Sequence, residues 1–249
     1  MKQTVVITGA SRGIGRAVAL AFAEKSASKN NHEEYNIFVN CAKNSELLEN
    51  VKKQIRNLGV CCESFTGDIS NYNTAMEMFD EVHRHFGNVD ILVNNAGISI
   101  IGLFQDMTRD EWDRIMNVNV GSVYNCCHFA IPDMINAKSG RIINISSVWG
   151  NAGASCEAAY SATKGAVNSL TKALAKELAP SGISVNALAC GLIDTDMNNC
   201  FTDEEKQDII EKTHEPINDQ ATCEREQEIP KQPKPPNRKQ EERLNTNNQ

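Results

Sequence analysis

Three side chains in the middle of this 249-residue chain, Ser147, Tyr160 and Lys164, are of the types that together move a proton. Tyr160 and Lys164 stand at i and i+4, so on a helix they share one face. A phenol has an ordinary pKa of about 10, too high for easy exchange near neutrality. A neighbouring ammonium favours the phenolate and is expected to lower that pKa toward the range of an acid–base catalyst. Ser147 follows an apolar run, and the carboxyl ends of strands are where an open α/β sheet gathers its ligands. A surface Tyr and Lys with a loop serine is the plain alternative, and an i, i+4 pair alone does not exclude it.

A second constellation lies near the N-terminus, in residues 8–15 (TGASRGIG). Its spacing is G-x-x-x-G-x-G, between a β-branched run and a helical pattern. Glycines let the backbone turn sharply and approach a pyrophosphate, whose charge then sits at a helix N-terminus. A tight strand–helix turn without a ligand has the same local appearance.

The elements that must position these groups alternate. Residues 5–8, 37–40, 60–66, 91–93, 142–145 and 183–188 are short runs rich in Val, Ile, Leu and Phe, readable as buried strands. Helix-period segments lie between them: 16–25, 46–58, 74–86, 111–131 and 158–178. Such alternation predicts an α/β fold, a doubly wound parallel sheet covered on both faces. The polar stretch 25–34 is long for a helix-to-strand connection. Residues 1–214 hold all 15 glycines, whereas residues 215–249 hold five of the seven prolines and only five apolar side chains. The first segment is expected to be one catalytic domain. The second has a composition expected to form a disordered polar tail.

Composition narrows the classes. Lys plus Arg is 25 against 32 Asp plus Glu, a formal net charge of −7, so no general basic surface invites nucleic acid. No apolar run approaches the roughly 18–20 residues of a membrane span, and the N-terminus lacks a signal-peptide pattern. Nine cysteines, an odd number with no C-x-x-C, suit neither a disulfide framework nor a zinc site, and imply reduced thiols in a cytoplasmic protein. His83, His85 and His128 have no partners at metal spacing, so no metal is expected. Trp149, just after Ser147, either lines a substrate cleft or only packs.

Taken together, TGASRGIG, Asn94-Asn95-Ala96-Gly97, Asn119, and Ser147 with Tyr160-Ser161-Ala162-Thr163-Lys164 resemble the short-chain dehydrogenase/reductase family. Within it, the run to about residue 210 is most similar to the 3-oxoacyl-(acyl-carrier-protein) reductases. Asp110-Glu111-Trp112-Asp113-Arg114 and residues 140–147 and 185–197 add to that likeness.

The resemblance implies a role for each residue. Gly9, Gly13 and Gly15 would cradle the pyrophosphate, with Ser11, Arg12 and Ile14 in the same loop. Asp68, followed by Ile69, would bond the adenine; its plain role is to cap the helix beginning near Ser70, and the two are compatible. Asn94, Ala96 and Gly97 would line the cofactor ribose and support the central strand, and Ile193 would also contact the cofactor. Tyr160 would be the general acid, Ser147 would bond the substrate carbonyl, and Lys164 would hold the nicotinamide ribose and tune Tyr160. Asn119 would hold a water that relays protons between Lys164 and solvent.

No acidic residue follows the second strand in Cys41-Ala42-Lys43-Asn44-Ser45 to bond a ribose 2′-OH, and Arg12 and Lys43 suit a 2′-phosphate. NADP(H) is therefore the expected cofactor. The expected reaction is reduction of a carbonyl to a secondary alcohol, and the resemblance implies a 3-oxoacyl group on acyl carrier protein in fatty acid synthesis as the substrate. The alternatives are another carbonyl or alcohol, chosen by Phe104, Trp149 and residues 192–212, a non-catalytic NADP(H)-binding protein, or an altered gene product that does little.

Two departures from the family pattern stand out. Cys190-Gly191 replaces the usual Pro-Gly after the sixth strand, removing a fixed φ. After a lid helix expected at 201–212, the usual last helix and seventh strand are not recognisable. Those elements help family members form tetramers, which leaves oligomerisation here open.

Overall fold

The computed structural model describes residues 2–28, 34–193 and 195. The expectations for the lid helix at 201–212 and for the tail lie outside the described residues. The chain falls into two units, Met1–Glu215 and Pro216–Gln249, and only the first contains described residues.

Six strands form: β1 (Gln3–Ile7), β2 (Tyr35–Cys41), β3 (Cys62–Thr66), β4 (Ile91–Asn94), β5 (Gly140–Ser147) and β6 (Ile183–Cys190). They make one parallel sheet in the order β3-β2-β1-β4-β5-β6. Each is apolar on both faces where it is central, because both faces are covered. Val6, Phe38, Leu92 and Ile142 pack into one buried cluster, and Val5, Ile7, Ile37, Val39, Ile91 and Val93 into the other. Neighbouring residues of a strand thus enter opposite layers, as the period-two geometry requires.

The covering helices are α1 (Gly13–Ala27), α2 (Ser45–Asn57), α3 (Tyr72–Phe86), α4 (Arg109–Met116), α5 (Ser122–Ala137), the short α6 (Trp149–Ala152) and α7 (Ala158–Leu178). Two sequence expectations change here. The helical pattern at 111–131 is not one helix: a π-helical turn, Asn117–Gly121, separates α4 from α5. That turn inserts an extra residue and re-aims the side chains around Asn119. Asp68 does not cap α3. The cap is Asn71, whose side chain accepts from the Thr74 N–H at 3.1 Å.

The strand order reverses between β1 and β4. Parallel sheets open a crevice at the carboxyl ends of the strands where the order reverses. The glycine loop after β1 and the Asn95–Gly97 loop after β4 therefore face one another across it. On the far side, β6 is the outermost strand among the described residues.

Candidate active site

The glycine loop is shaped from both sides. Gly9 and Gly13 have φ of +63° and +55°, the left-handed region that glycine adopts without strain. Gly15 is needed for closeness instead: a Cβ there would lie 2.5 Å from the Gly9 carbonyl oxygen and from Asn95 Nδ2. Asn95 holds the loop, its Nδ2 donating to the Thr8 and Gly9 carbonyls at 2.9 and 3.0 Å. Thr8 Oγ1 accepts from the Asn95 and Ala96 N–H groups, both at 3.0 Å. No side-chain hydrogen bond caps α1, whose N-cap position is Arg12, and its first turn carries no acid. That leaves a helix N-terminus suited to an anion.

Beside this loop lies a cleft of about 650 Å³. Gly9, Ser11, Arg12, Gly13 and Ile14 line it, as do Asp68, Ile69, Ala96 and Gly97 from the other strand ends. Asp68 Oδ1 accepts from the Ser70 N–H and hydroxyl at 3.0 and 2.7 Å, which fixes its orientation at the wall. Residues 41–44 form the wall after β2 and include Lys43. An unblocked helix N-terminus, a glycine cradle and a cleft of this size fit a dinucleotide.

The cleft continues into a smaller pocket of about 120 Å³, with Ile14, Asn95, Gly97 and Thr195 lining both. Here Ser147, Tyr160 and Lys164 converge, joined by Trp149 and Ile193. Ser147 is the last residue of β5, which runs two residues beyond the 142–145 read from the sequence. It pairs in register with Cys190, and β6 stays hydrogen-bonded to it despite the missing proline. The Val148 N–H donates to the Cys190 carbonyl at 3.0 Å. Tyr160 and Lys164 do share a face of α7. Trp149, left open by the sequence, lines the pocket. Phe104 lies against Trp112, with ring centroids 6.0 Å apart, and is exposed.

The electrostatics correct one expectation. Burial pushes the Tyr160 phenol up to about 12, against a hydrogen bond from Ser147 that lowers it, and Glu157 adds to the rise. The proximity of Lys164 does not reverse this. Lys164 is only 5% exposed, and burial pushes it down to about 8. Its Nζ donates to the Ile145 carbonyl at 2.8 Å and lies 5.6 Å from the Tyr160 ring centroid. Desolvation decides the direction of the Tyr160 shift in this pocket.

Three expected site residues stand behind the cleft instead of lining it. Gly15 packs against Gly9. Asn94 is buried in the core, donating to Asn144 Oδ1 at 2.8 Å, while Asn144 donates to Thr171 Oγ1 at 2.8 Å. It ties β4 to β5 and α7 and does not face the cofactor cleft; its neighbour Asn95 does. Asn119 spends both amide protons on the Ile98 carbonyl (2.8 Å) and Thr163 Oγ1 (3.0 Å), while its Oδ1 accepts from the Ile98 N–H at 2.8 Å. Its side chain therefore clamps the loop after β4 to α7, and Gly97 fits beneath it, with a Cβ position 3.3 Å from Asn119 Oδ1 and 3.7 Å from Lys164 Nζ.

The histidines sit elsewhere. His83 meets Asp133 at 2.8 Å, His85 lies near Glu81, and His128 packs among Tyr72, Tyr124 and Phe129.

A parallel doubly wound sheet with a glycine-cradled cleft and a Ser–Tyr–Lys pocket at its switch point defines a nicotinamide-dependent oxidoreductase. The chain belongs to the short chain dehydrogenase family, whose model matches residues 3–206. It is 41% identical over 210 residues to the 3-oxoacyl-(acyl-carrier-protein) reductase FabG of Staphylococcus aureus, covering 84% of this chain and 82% of that protein. It is 39% identical over 212 residues to the uncharacterized oxidoreductase YmfI of Bacillus subtilis, covering 85% and 84%. Among solved structures, NAD+-bound xylitol dehydrogenase superposes with a TM-score of 0.69 at 33% identity, over 75% of this chain and 69% of that one. No helix among the described residues is long and apolar enough to cross a membrane.

Proposed function

We propose that this protein reduces a 3-oxoacyl thioester carried on acyl carrier protein to the secondary alcohol, with NADPH as reductant. One observation carries the reading: Ser147, Tyr160 and Lys164 line a pocket that opens directly into the glycine-cradled cleft. The similarity to FabG supports the substrate class.

When bound, the cofactor supplies a hydride to the carbonyl carbon. Gly9, Gly13 and the uncapped N-terminus of α1 hold its pyrophosphate, with Ser11 and Ile14 shaping the loop and Asp68 and Ile69 the adenine end. Arg12 and Lys43, with no acid in residues 41–45, favour NADPH over NADH. Ala96, Gly97 and Ile193 border the ribose and nicotinamide. Ser147 donates a hydrogen bond to the substrate carbonyl. Tyr160 delivers its phenolic proton to the carbonyl oxygen as hydride arrives at carbon, so the product is the neutral alcohol. A phenol held near 12 is fully protonated at neutral pH, the form a proton donor needs. Lys164 fixes the ribose and supplies positive charge beside the transient phenolate, which solvent then reprotonates. Asn119 holds the pocket wall that Lys164 and Gly97 share.

The experiment is NADPH oxidation by the purified full chain with a 3-oxoacyl thioester, a simple ketone and a hydroxyketone, repeated with NADH. The thioester is expected to give the highest kcat/KM. Cofactor binding without turnover of any carbonyl would overturn the enzymatic reading, and a preference for the hydroxyketone would overturn the substrate class.

A further inference from the structure

The pocket carries a charge that the proton-transfer machinery does not use. Glu157 precedes α7 and lines the same pocket as Ser147 and Tyr160. Ser99, from the loop after β4, donates its hydroxyl proton to Glu157 Oε1 at 2.6 Å. The Gly102 N–H donates to the Cys156 carbonyl at 2.8 Å, a second tie between the same two loops. The carboxylate is therefore held at the pocket wall by a contact spanning 58 residues of sequence. Among the described residues no Lys, Arg or His pairs with it.

We propose that Glu157, positioned by Ser99, is a specificity-determining residue that rejects substrates bearing a carboxylate beside the reacting carbonyl. This rests on the reduction proposed above and narrows it: 3-oxo esters and thioesters enter, and free 3-oxo acids do not. Apart from Lys164 in the reacting group, Glu157 is the one ionised side chain among the described residues of this wall; Asn95, Ser99, Ser146 and Thr195 are neutral polar lining, and Ile101, Trp149, Leu192 and Ile193 supply apolar surface. An anionic substrate placing its carbonyl at Ser147 and Tyr160 would bring a like charge into a partly buried space with Glu157, where little water screens the repulsion. A thioester or ester carries no such charge. The amide N–H groups of a thioester's carrier arm are donors that the free oxygen of Glu157 is able to accept. The same carboxylate raises the Tyr160 phenol, so its field already reaches the reacting hydroxyl.

The test compares kcat/KM for ethyl acetoacetate, acetoacetyl-N-acetylcysteamine and acetoacetate, using the full chain with NADPH. Glu157→Gln keeps an oxygen for Ser99 and removes the charge. The ratio of ester to acetoacetate kcat/KM is expected to fall about tenfold or more, chiefly through a lower KM for acetoacetate. Glu157→Asp keeps the charge and is expected to keep a strong preference for the ester. Because each ratio is taken within one preparation, a partly folded variant does not distort it. An unchanged ratio in Glu157→Gln overturns the proposal while leaving the reductase reading intact. Failure of the wild type to reduce either the ester or the thioester overturns the reductase reading itself.

Discussion

Replacing Lys164 with methionine is expected to stabilise the folded protein near neutral pH while removing its turnover. The ammonium is buried, and its pKa falls from the ordinary 10.5 to about 8. By linkage that fall represents about 3 kcal/mol of folding free energy lost wherever the unfolded lysine is protonated and the buried one must be too. The hydrogen bond from Nζ to the Ile145 carbonyl opposes this, since a charged bond is worth about 1.5–3 kcal/mol. A methionine fills similar volume without a charge, so the net gain below pH 8 is expected to be about 1 kcal/mol. The pH dependence is the sharper readout. Between about pH 8 and 10.5 the unfolded wild type binds more protons at this site than the folded one, so wild-type stability rises with pH across that window. The methionine variant lacks this rise, and its stability relative to wild type should fall by about 3 kcal/mol over the same window. Urea unfolding of both proteins under reducing conditions, at about pH 7 and about pH 10, measures the difference, because groups common to both cancel. Parallel stability curves would show that Lys164 is not held at a cost to the fold, and the account of a desolvated, functional ammonium would fail.

Other expectations concern the cofactor cleft. Arg12→Ala is expected to weaken NADPH about 10–100-fold in a binding titration while leaving NADH nearly unchanged; equal losses would mean that Arg12 shapes the loop and does not read the phosphate. Gly15→Ala places a Cβ 2.5 Å from the Gly9 carbonyl oxygen. Overpacking of this kind costs about 1–3 kcal/mol, so the variant should melt at lower temperature and lose most of the Tm increase that NADPH gives. A normal cofactor-induced increase would contradict the close loop packing.

The central strands were legible because a strand buried on both faces concentrates Val, Ile and Leu into a short run. The signal is weaker in β3, with Glu63 and Ser64 inside Cys62–Thr66, and in β6, which alternates buried and exposed residues at its start, though the runs at 60–66 and 183–188 still overlap them. Strand ends were less so: β5 extends to Ser147 and β6 to Cys190 because mutual pairing, not composition, carries them forward. The break between α4 and α5 was hidden, since Trp112, Ile115, Met116, Val120 and Val123 keep an i, i+3/i+4 apolar spacing straight through Asn117–Gly121 and a π turn has no composition of its own. In the Asn94-Asn95 doublet, identical side chains one residue apart point to opposite surroundings, core and cleft, and the motif alone did not separate them. The glycine loop and the Ser147, Tyr160 and Lys164 set were readable because their spacing is local. Glu157 was not, since its meaning depends on Ser99 across the pocket. The direction of the Tyr160 shift was also out of reach, because burial, which decides it, is a property of the folded chain.

The most direct test of the account is the behaviour of Tyr160→Phe with a 3-oxoacyl thioester and NADPH. The substitution removes the phenolic proton and keeps the ring. Turnover is expected to fall by about 10²–10⁴-fold, the usual contribution of a general acid, while NADPH binding, followed by its fluorescence, stays near the wild-type level. A variant that keeps most of its kcat would show that the proton comes from elsewhere, and the assignment of Ser147, Tyr160 and Lys164 as the reducing site would be wrong.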